Sequence, residues 1–356
     1  MANGIQKTIK EIIPVSLQKL NEAQAHLDAL TKPPGSLGRL EELGRRYAAI
    51  KGLESPRVRS KSVYVFAADH GVAQQGVSAY PAEVTPQMVL NFLKGGAAIN
   101  VLASHFNAEV VVVDMGVDYD FGAIPGLVDH KIARGTADIS RGPGMTRAQA
   151  EQAVRAGMEL ARKAAESGVD ILGTGDMGIG NTTVSVAVIA ALVQCPVKAI
   201  VGRGTGIDDA ALQKKIRVIE TALQVNRPDA DDPLDILTKV GGFEIAGIAG
   251  FILGSAAART PVVIDGVISG AGALLAHRMS PAAGDYMFLS HRSQEPAHEV
   301  LFKEIDQSPL FDFGMRLGEG TGAVIGMNLL EAGTKIYSEM ATFEKAGVSK
   351  KNNDAT

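Results

Sequence analysis

The chain has 356 residues, 46% of them hydrophobic, so it can bury a large core and is not disordered as a whole. Its 35 Lys and Arg against 39 Asp and Glu give a net charge of −4, which argues against a nucleic-acid partner. The longest apolar stretch, Ile245–Ala258, is shorter than the ~20 residues that span a bilayer. A single cysteine and an N-terminus without a secretion-signal pattern lead us to expect a cytoplasmic protein.

In chain order, residues 5–53 have a helical pattern, and short β-branched runs then alternate with longer helical patterns. The predicted strands are near-continuously apolar, as in parallel sheets that are buried on both faces. They are Ser62–Ala67, Glu109–Asp114, Val169–Gly173, Lys198–Val201, Pro261–Asp265 and Tyr286–Leu289. The alternation predicts an α/β fold with a doubly wound, mostly parallel sheet.

Local signals place several helices between these strands. Helices are predicted over Val84–Leu102 and Glu244–Ala257. Thr146 forms a capping box with Gln149 at the start of another, and Asp208 caps a further one.

The chain ends differ from the middle. Residues 322–346 read as one long helix, so the two terminal helical segments are expected to pack on each other. We predict a small helical domain from residues 1–55 plus 322–350, and a large α/β domain from 56–321 that holds the active site.

Polar or glycine-rich segments follow five of the predicted strands. They are Asp69–Gly71, Gly173–Thr183, Gly202–Gly206, Asp265–Gly266 and Ser290–Arg292. Open parallel sheets bind ligands beyond the carboxyl ends of their strands. We therefore expect these segments to meet at one edge of the sheet.

The 173–183 segment predicts an anion site, because its glycines precede Asn181, Thr182 and an apolar helix whose N-terminus favours phosphate. The alternative is an ordinary strand–helix turn capped by Thr182. A G-x-G-x-x-G match within it is weak evidence for a dinucleotide, since the expected acidic residue is missing. Lys214 or Lys215 could reach a phosphate, although a solvated helix face also explains the pair. The histidine spacing predicts no metal site.

One acidic residue, Glu319, lies among alternating glycines in Arg316-Leu-Gly-Glu-Gly-Thr-Gly322. Glycine permits unusual backbone conformations and close approach of a ligand. The segment therefore suggests a base facing a small-molecule pocket. The alternative is an acidic residue at a helix start, with glycines for packing.

Nine motifs occur in an order that resembles one enzyme family, the nicotinate-nucleotide–dimethylbenzimidazole phosphoribosyltransferases of cobamide lower-ligand synthesis. The resemblance spans about residues 5–345. The motifs are KPPGSLGRLE (32–41), ADHGV (68–72), GVSAYPAEVT (76–85), GGAAINVLA (95–103), ARGTADI (133–139), GDMGIGNTT (175–183), GRGTG (202–206), KVGGFEIAGIAG (239–250) and RLGEGTGA (316–323).

The resemblance implies that ribose 5-phosphate is transferred from nicotinate mononucleotide to a lower-ligand base, with no cofactor or metal. It also implies a Rossmann-like large domain, a small helical domain and a dimer. Glu319 is implied as the catalytic base, and Asp176 as a catalytic residue that organises the ribose. The implied phosphate and ribose contacts are Gly175, Gly178, Gly180, Asn181, Thr182, Gly204 and Lys215. The implied acceptor contacts are Ser78, Tyr80, Gln87, Met88 and Leu317.

Asp176 departs from the family, whose loop most often carries glutamate at this position. The shorter side chain leaves space for a water, and some relatives use phenolic acceptors. We therefore hypothesise that Asp176 marks an altered acceptor preference, with 5,6-dimethylbenzimidazole and phenol or p-cresol both open as acceptors. Such relatives can also pair with a homologous subunit, so homo- and heterodimer are both open. The rival interpretations are a non-catalytic subunit of a heterodimer and a nicotinamide-cofactor oxidoreductase.

Overall fold

The structure is a computed structural model that describes residues 3–52 and 54–349. Residues 1, 2, 53 and 350 of the predicted small domain lie outside the described residues. The strands are β1 (Lys61–Ala68), β2 (Glu109–Gly116), β3 (Leu127–Asp129), β4 (Ile171–Met177), β5 (Val262–Ile264) and β6 (Met287–Leu289). The helices are α1 (Asn3–Glu11), α2 (Leu17–Asp28), α3 (Arg39–Lys51), α4 (Val84–Leu93), α5 (Ala98–His105), α6 (Arg147–Glu166), α7 (Asn181–Val193), α8 (Val197–Ile200), α9 (Asp209–Asn226), α10 (Pro233–Val240), α11 (Phe243–Ala257), α12 (Val267–Met279), α13 (Ala297–Ile305), α14 (Thr321–Glu339) and α15 (Phe343–Ala346).

The six strands form one parallel sheet in the order β3-β2-β1-β4-β5-β6. This is the order of a doubly wound Rossmann-type sheet, whose ligand crevice lies where the strand order reverses, between β1 and β4. The predicted α/β class is confirmed. No helix among residues 3–52 and 54–349 is long and apolar enough to cross a bilayer.

One strand prediction was wrong, and one strand was not predicted. Residues 198–201 do not form a strand, because α8 begins there after Pro196, which fixes the extended backbone at the helix start. The edge strand β3 was not predicted, since three residues are too short to show periodicity. It pairs with β2 through Leu127–Val112 and Val128–Val113.

Two other predicted element boundaries differ from those in the structure. The helix predicted over Val84–Leu102 is two helices, because Gly95 with φ 77° ends the first one. Strand β4 continues to Met177, beyond the predicted end at Gly173, so the connection to α7 is only residues 178–180. Asp176 therefore lies on a rigid strand and not on a flexible loop.

The two chain ends pack on each other. Helices α2, α3 and α14 share a small apolar cluster of Ala23, Leu27, Leu30, Ala48 and Tyr337. Leu30 also forms an antiparallel bridge with Thr342. The predicted single helix over 322–346 is interrupted between α14 and α15. Because α3 also contributes Leu43, Tyr47 and Ile50 to the main core, the division into two domains stays a prediction.

The N-terminal helices also cover the edge strand of the sheet. Arg46 on α3 donates hydrogen bonds to the carbonyl oxygens of Met287, at 2.6 Å, and of Asp285, at 3.3 Å. Its guanidinium lies 4.1 Å from the centre of the Phe288 ring. These contacts tie α3 to β6.

Candidate active site

A cavity of about 490 Å³ opens at the carboxyl ends of β4, β5 and β6. It is bounded by the β4–α7 connection, helix α4, the loop after α8 and the turn before α14. Its walls include Tyr80, Val84, Met88, Asp176, Met177, Gly178, Ile179, Asn181, Thr182, Gly204, Thr205, Gly266, Val267, Ile268, His291, Ser293, Glu295, Arg316, Leu317, Gly318 and Glu319.

Glu319 lies in a left-handed turn at the base of this cavity. Gly318, Glu319 and Gly320 have φ values of 83°, 63° and 90° in succession. A left-handed glutamate costs of the order of 1–3 kcal/mol and persists only where its surroundings enforce it. The turn projects a carboxylate, which is 8% exposed, from the start of α14.

Asp265, at the end of β5, enforces this turn. Its Oδ2 accepts a hydrogen bond from Gly320 N at 2.9 Å. Its Oδ1 accepts bonds from Gly322 N at 2.7 Å and Ala323 N at 3.1 Å. The buried carboxylate therefore caps the N-terminus of α14, which has no side-chain cap of its own.

The turn lies directly against β4. A Cβ atom on Gly175 would lie 2.7 Å from the carbonyl carbon and oxygen of Glu319 and 2.8 Å from Gly320 N. Only glycine allows this approach, so Gly175 serves packing between the two segments. The predicted phosphate segment and the Glu319 turn thus meet at one edge of the sheet, as expected.

Several carboxylates converge here, and two of them, Glu319 and Asp176, have raised pKa values. Burial and the charge of Asp265 raise the pKa of Glu319 to about 7. Burial, followed by the charges of Asp265, Glu244 and Glu319, holds the pKa of Asp176 well above its usual range. A carboxylate whose pKa is near neutral is suited to general base catalysis.

Only one of the two carboxylate oxygens of Asp176 has a hydrogen-bond partner among the described residues. Its Oδ2 accepts a hydrogen bond from Asn181 Nδ2 at 3.0 Å. Its Oδ1 is buried and has no hydrogen-bond partner among the described residues. The free oxygen lies in the cavity wall, where a ligand or water could pair with it.

Lys215 lies behind the cavity wall that Thr182 forms. Its Nζ donates to Thr182 Oγ1 at 2.8 Å and to Gly202 O at 3.3 Å. Lys215 is fully buried, whereas Lys214 is exposed, so the solvated-face alternative applies only to Lys214. Burial lowers the pKa of Lys215 to about 8.

The 202–206 loop follows a helix instead of a strand and still reaches the cavity. Gly204 N donates to Glu295 Oε1 at 2.8 Å, and Arg316 Nη1 donates to Gly204 O at 3.0 Å. Glu295 lies in a segment without a recognisable sequence pattern and was not predicted. Asp265 was predicted only as the end of a strand.

The implied acceptor residues are not all in the cavity wall. Tyr80, Met88 and Leu317 line it, and Ser78 Oγ lies 3.3 Å from Thr205 Oγ1. Gln87 lies on the exposed side of α4, outside the lining. The binding roles of these five residues stay predictions.

This geometry agrees with the comparisons. The chain matches the phosphoribosyltransferase family over residues 12–348. The chain belongs to the nicotinate-nucleotide–dimethylbenzimidazole phosphoribosyltransferase family.

Two similar relatives carry that family name. The one from Geobacter sulfurreducens is 55% identical over 97% of this chain and 98% of its own length. The one from Roseiflexus sp. (strain RS-1) is 58% identical over 98% of each chain. A crystal structure of the Thermus thermophilus enzyme is 45% identical, with a TM-score of 0.89 over 94% of this chain and 100% of its own. The chain is therefore a phosphoribosyltransferase, and the oxidoreductase interpretation is wrong.

Proposed function

We propose that this phosphoribosyltransferase transfers ribose 5-phosphate from nicotinate mononucleotide to an aromatic lower-ligand base of cobamides. The products are an α-riboside phosphate and nicotinate. One observation carries the proposal: the Glu319 carboxylate, with its raised pKa, lines one cavity together with Thr182, whose hydroxyl is bonded to the Lys215 ammonium.

The chemistry requires little beyond these groups. The donor ribose is bonded to a pyridinium nitrogen, so nicotinate leaves as a neutral ring without acid catalysis. The acceptor nitrogen or oxygen forms the new bond to the anomeric carbon as the bond to the nicotinate nitrogen breaks. The proton that passes to Glu319 comes from the attacking hydroxyl of a phenol or from the other ring nitrogen of a benzimidazole. A base of this kind contributes about 10²–10⁴-fold, and orientation of the two substrates contributes further.

The decisive experiment measures nicotinate release by the purified chain alone, with 5,6-dimethylbenzimidazole as acceptor. Turnover of the chain by itself supports catalysis and contradicts a non-catalytic subunit. Absence of turnover with every acceptor, in a folded chain that binds the donor, would overturn the proposal.

The acceptor preference is a separate proposal that rests on Asp176. Asp176 is one methylene shorter than glutamate, and its buried Oδ1 has no hydrogen-bond partner among the described residues, so a water bound there could relay a proton from a phenol to Glu319. The pKa of Glu319 is about 7, and that of a phenol is near 10. Proton transfer from a phenol to Glu319 is therefore less unfavourable than transfer to a carboxylate of ordinary pKa. We expect use of phenol or p-cresol, and a shift toward 5,6-dimethylbenzimidazole in Asp176→Glu.

Competition between the acceptors tests this preference directly. The purified chain and Asp176→Glu are each given an equimolar mixture of p-cresol and 5,6-dimethylbenzimidazole, and the products are quantified. Strict use of the benzimidazole, unchanged by the substitution, would contradict a role of Asp176 in acceptor choice and leave the transferase proposal intact.

We also propose a cytoplasmic dimer. The apolar side chains of Tyr80 and Leu317 are each 56% exposed at the cavity mouth, where a second subunit could cover them. Light scattering on the purified chain measures its mass, and addition of a homologous subunit distinguishes a homodimer from a heterodimer. A monomer that retains full activity would contradict this assembly.

A further inference from the structure

The 202–206 loop contacts both ends of the cavity that the proposed reaction uses. On the phosphate side, a Cβ atom on Gly204 would lie 2.7 Å from Thr182 Oγ1 and 3.2 Å from Lys215 Nζ. The carbonyl oxygen of Gly202 accepts a hydrogen bond from the same ammonium group. If Lys215 moves toward a bound phosphate, its contacts with Gly202 and Gly204 change, and the loop must adjust its position.

On the acceptor side, Thr205 joins the loop to the segment that carries the implied acceptor residues. Thr205 Oγ1 accepts a hydrogen bond from Ala79 N at 2.9 Å. It also lies 3.3 Å from Ser78 Oγ, which in turn accepts a bond from Tyr80 N at 3.2 Å. One hydroxyl thus fixes the backbone that positions the Tyr80 ring at the cavity wall.

The loop is anchored between these two sides. The buried carboxylate of Glu295 occupies the space where a Cβ atom of Gly202 would lie, and it accepts a hydrogen bond from Gly204 N. From the other direction, Arg316 binds Gly204 O. Thr205 follows Gly204 directly in the chain, so a displacement of Gly204 also displaces the Thr205 hydroxyl.

We infer that Thr205 is a positioning residue that couples occupation of the phosphate end to the shape of the acceptor wall, so that the acceptor binds more tightly once the phosphate end is filled. The inference rests on the proposed function, because it assigns the two ends to donor and acceptor. Coupling of this kind is reciprocal, and it is commonly about 5- to 150-fold in affinity.

The test is titration of 5,6-dimethylbenzimidazole into the full chain, with and without saturating inorganic phosphate as the probe of the phosphate end. In the wild-type chain we expect phosphate to tighten acceptor binding by about fivefold or more. In Thr205→Val, which removes the hydroxyl and keeps the volume, the enhancement should fall below about twofold. Thr205→Ser keeps the hydroxyl and should keep the enhancement.

Steady-state kinetics give an independent readout. Thr205→Val should raise the acceptor KM at saturating donor about tenfold and leave donor affinity in the absence of acceptor within about twofold, whereas general loss of packing would weaken both. Equal enhancement by phosphate in wild type and Thr205→Val, or none in wild type, would overturn the coupling. A wild-type chain that lacks turnover with every acceptor would instead overturn the proposed function.

Discussion

Asp265 fixes the backbone around Glu319, since its carboxylate accepts hydrogen bonds from Gly320 N and Gly322 N, immediately after the Glu319 side chain. Asp265→Asn puts an amide donor where only an acceptor fits, so at least one buried N–H group loses its acceptor, at a cost of about 1–3 kcal/mol. We expect kcat to fall by at least about 10²-fold, since a displacement near 1 Å can cost that much. Asp232→Asn, at the cap of the distant α10, should leave kcat unchanged; a similar fall there would contradict the specific role.

Glu319→Gln should lose about 10²–10⁴-fold in kcat and still bind the donor, because only the proton acceptor is removed. The pH profile of the wild type should rise through about 7, where Glu319 ionises. Rates of both proteins across about pH 5–9 measure this, and a variant with near wild-type rate would exclude Glu319 as the base.

The same substitution should stabilise the fold at high pH. Because the folded pKa of Glu319 is raised, its favourable contribution is complete below about pH 4.5 and is lost as pH rises through about 7. The loss is about 3 to 4 kcal/mol, since the pKa rises from 4.5 to about 7 and each pKa unit is worth about 1.4 kcal/mol. Urea unfolding should therefore find Glu319→Gln more stable than wild type at about pH 8 and nearly equal at about pH 4.5. Equal stability at both pH values would contradict the raised pKa.

Gly175→Ala should inactivate the enzyme without unfolding it. The added methyl group meets the backbone of Glu319 and Gly320 at 2.7–2.8 Å, so the catalytic turn must move. We expect destabilisation of about 1–3 kcal/mol and a fall in kcat of about 10²-fold. Gly142→Ala is the matched control, since a Cβ atom there meets nothing within 4 Å. Full activity in Gly175→Ala would show that the turn can shift freely.

Lys215→Met should weaken donor binding by about 10- to 150-fold, because it removes one hydrogen bond between a charged group and the donor phosphate. In the wild type, donor affinity should fall as pH rises through about 8, where the buried ammonium loses its proton. Lys214→Met, on the exposed neighbour, should change neither quantity. Donor titration by calorimetry at about pH 7 and 9 measures both effects, and identical behaviour of the two variants would exclude Lys215 from the phosphate site.

The sequence predicted the sheet class because its buried strands are short apolar runs that alternate with longer helical patterns. The secondary-structure prediction failed where the local sequence pattern and the tertiary contacts favour different structures. Val197–Ile200 has β-branched residues and still forms a helical turn after Pro196. Gly173 and Gly175 resemble a loop, yet they belong to β4, where missing side chains allow Met327 and the Glu319 turn to approach.

The candidate site was predictable only where residues cluster in sequence. Glu319 among its glycines and the segment around Asp176 were recognisable as motifs. Asp265 and Glu295 act across 55 and 91 residues of sequence, on Gly320 and Gly204 respectively, so no local spacing could reveal their roles. The different burial of Lys214 and Lys215 likewise depends on how α9 packs.

The contact between Arg46 and β6 has a consequence for any shortened form of the chain. β6 is the last strand of its sheet, and one of its outward carbonyl groups is occupied by the guanidinium of α3. Strand edges with unpaired backbone groups recruit other strands and promote aggregation. Removal of the helices through Lys51 would therefore expose the edge of β6 and promote aggregation. The N-terminal helices thus contribute to solubility as well as to the core.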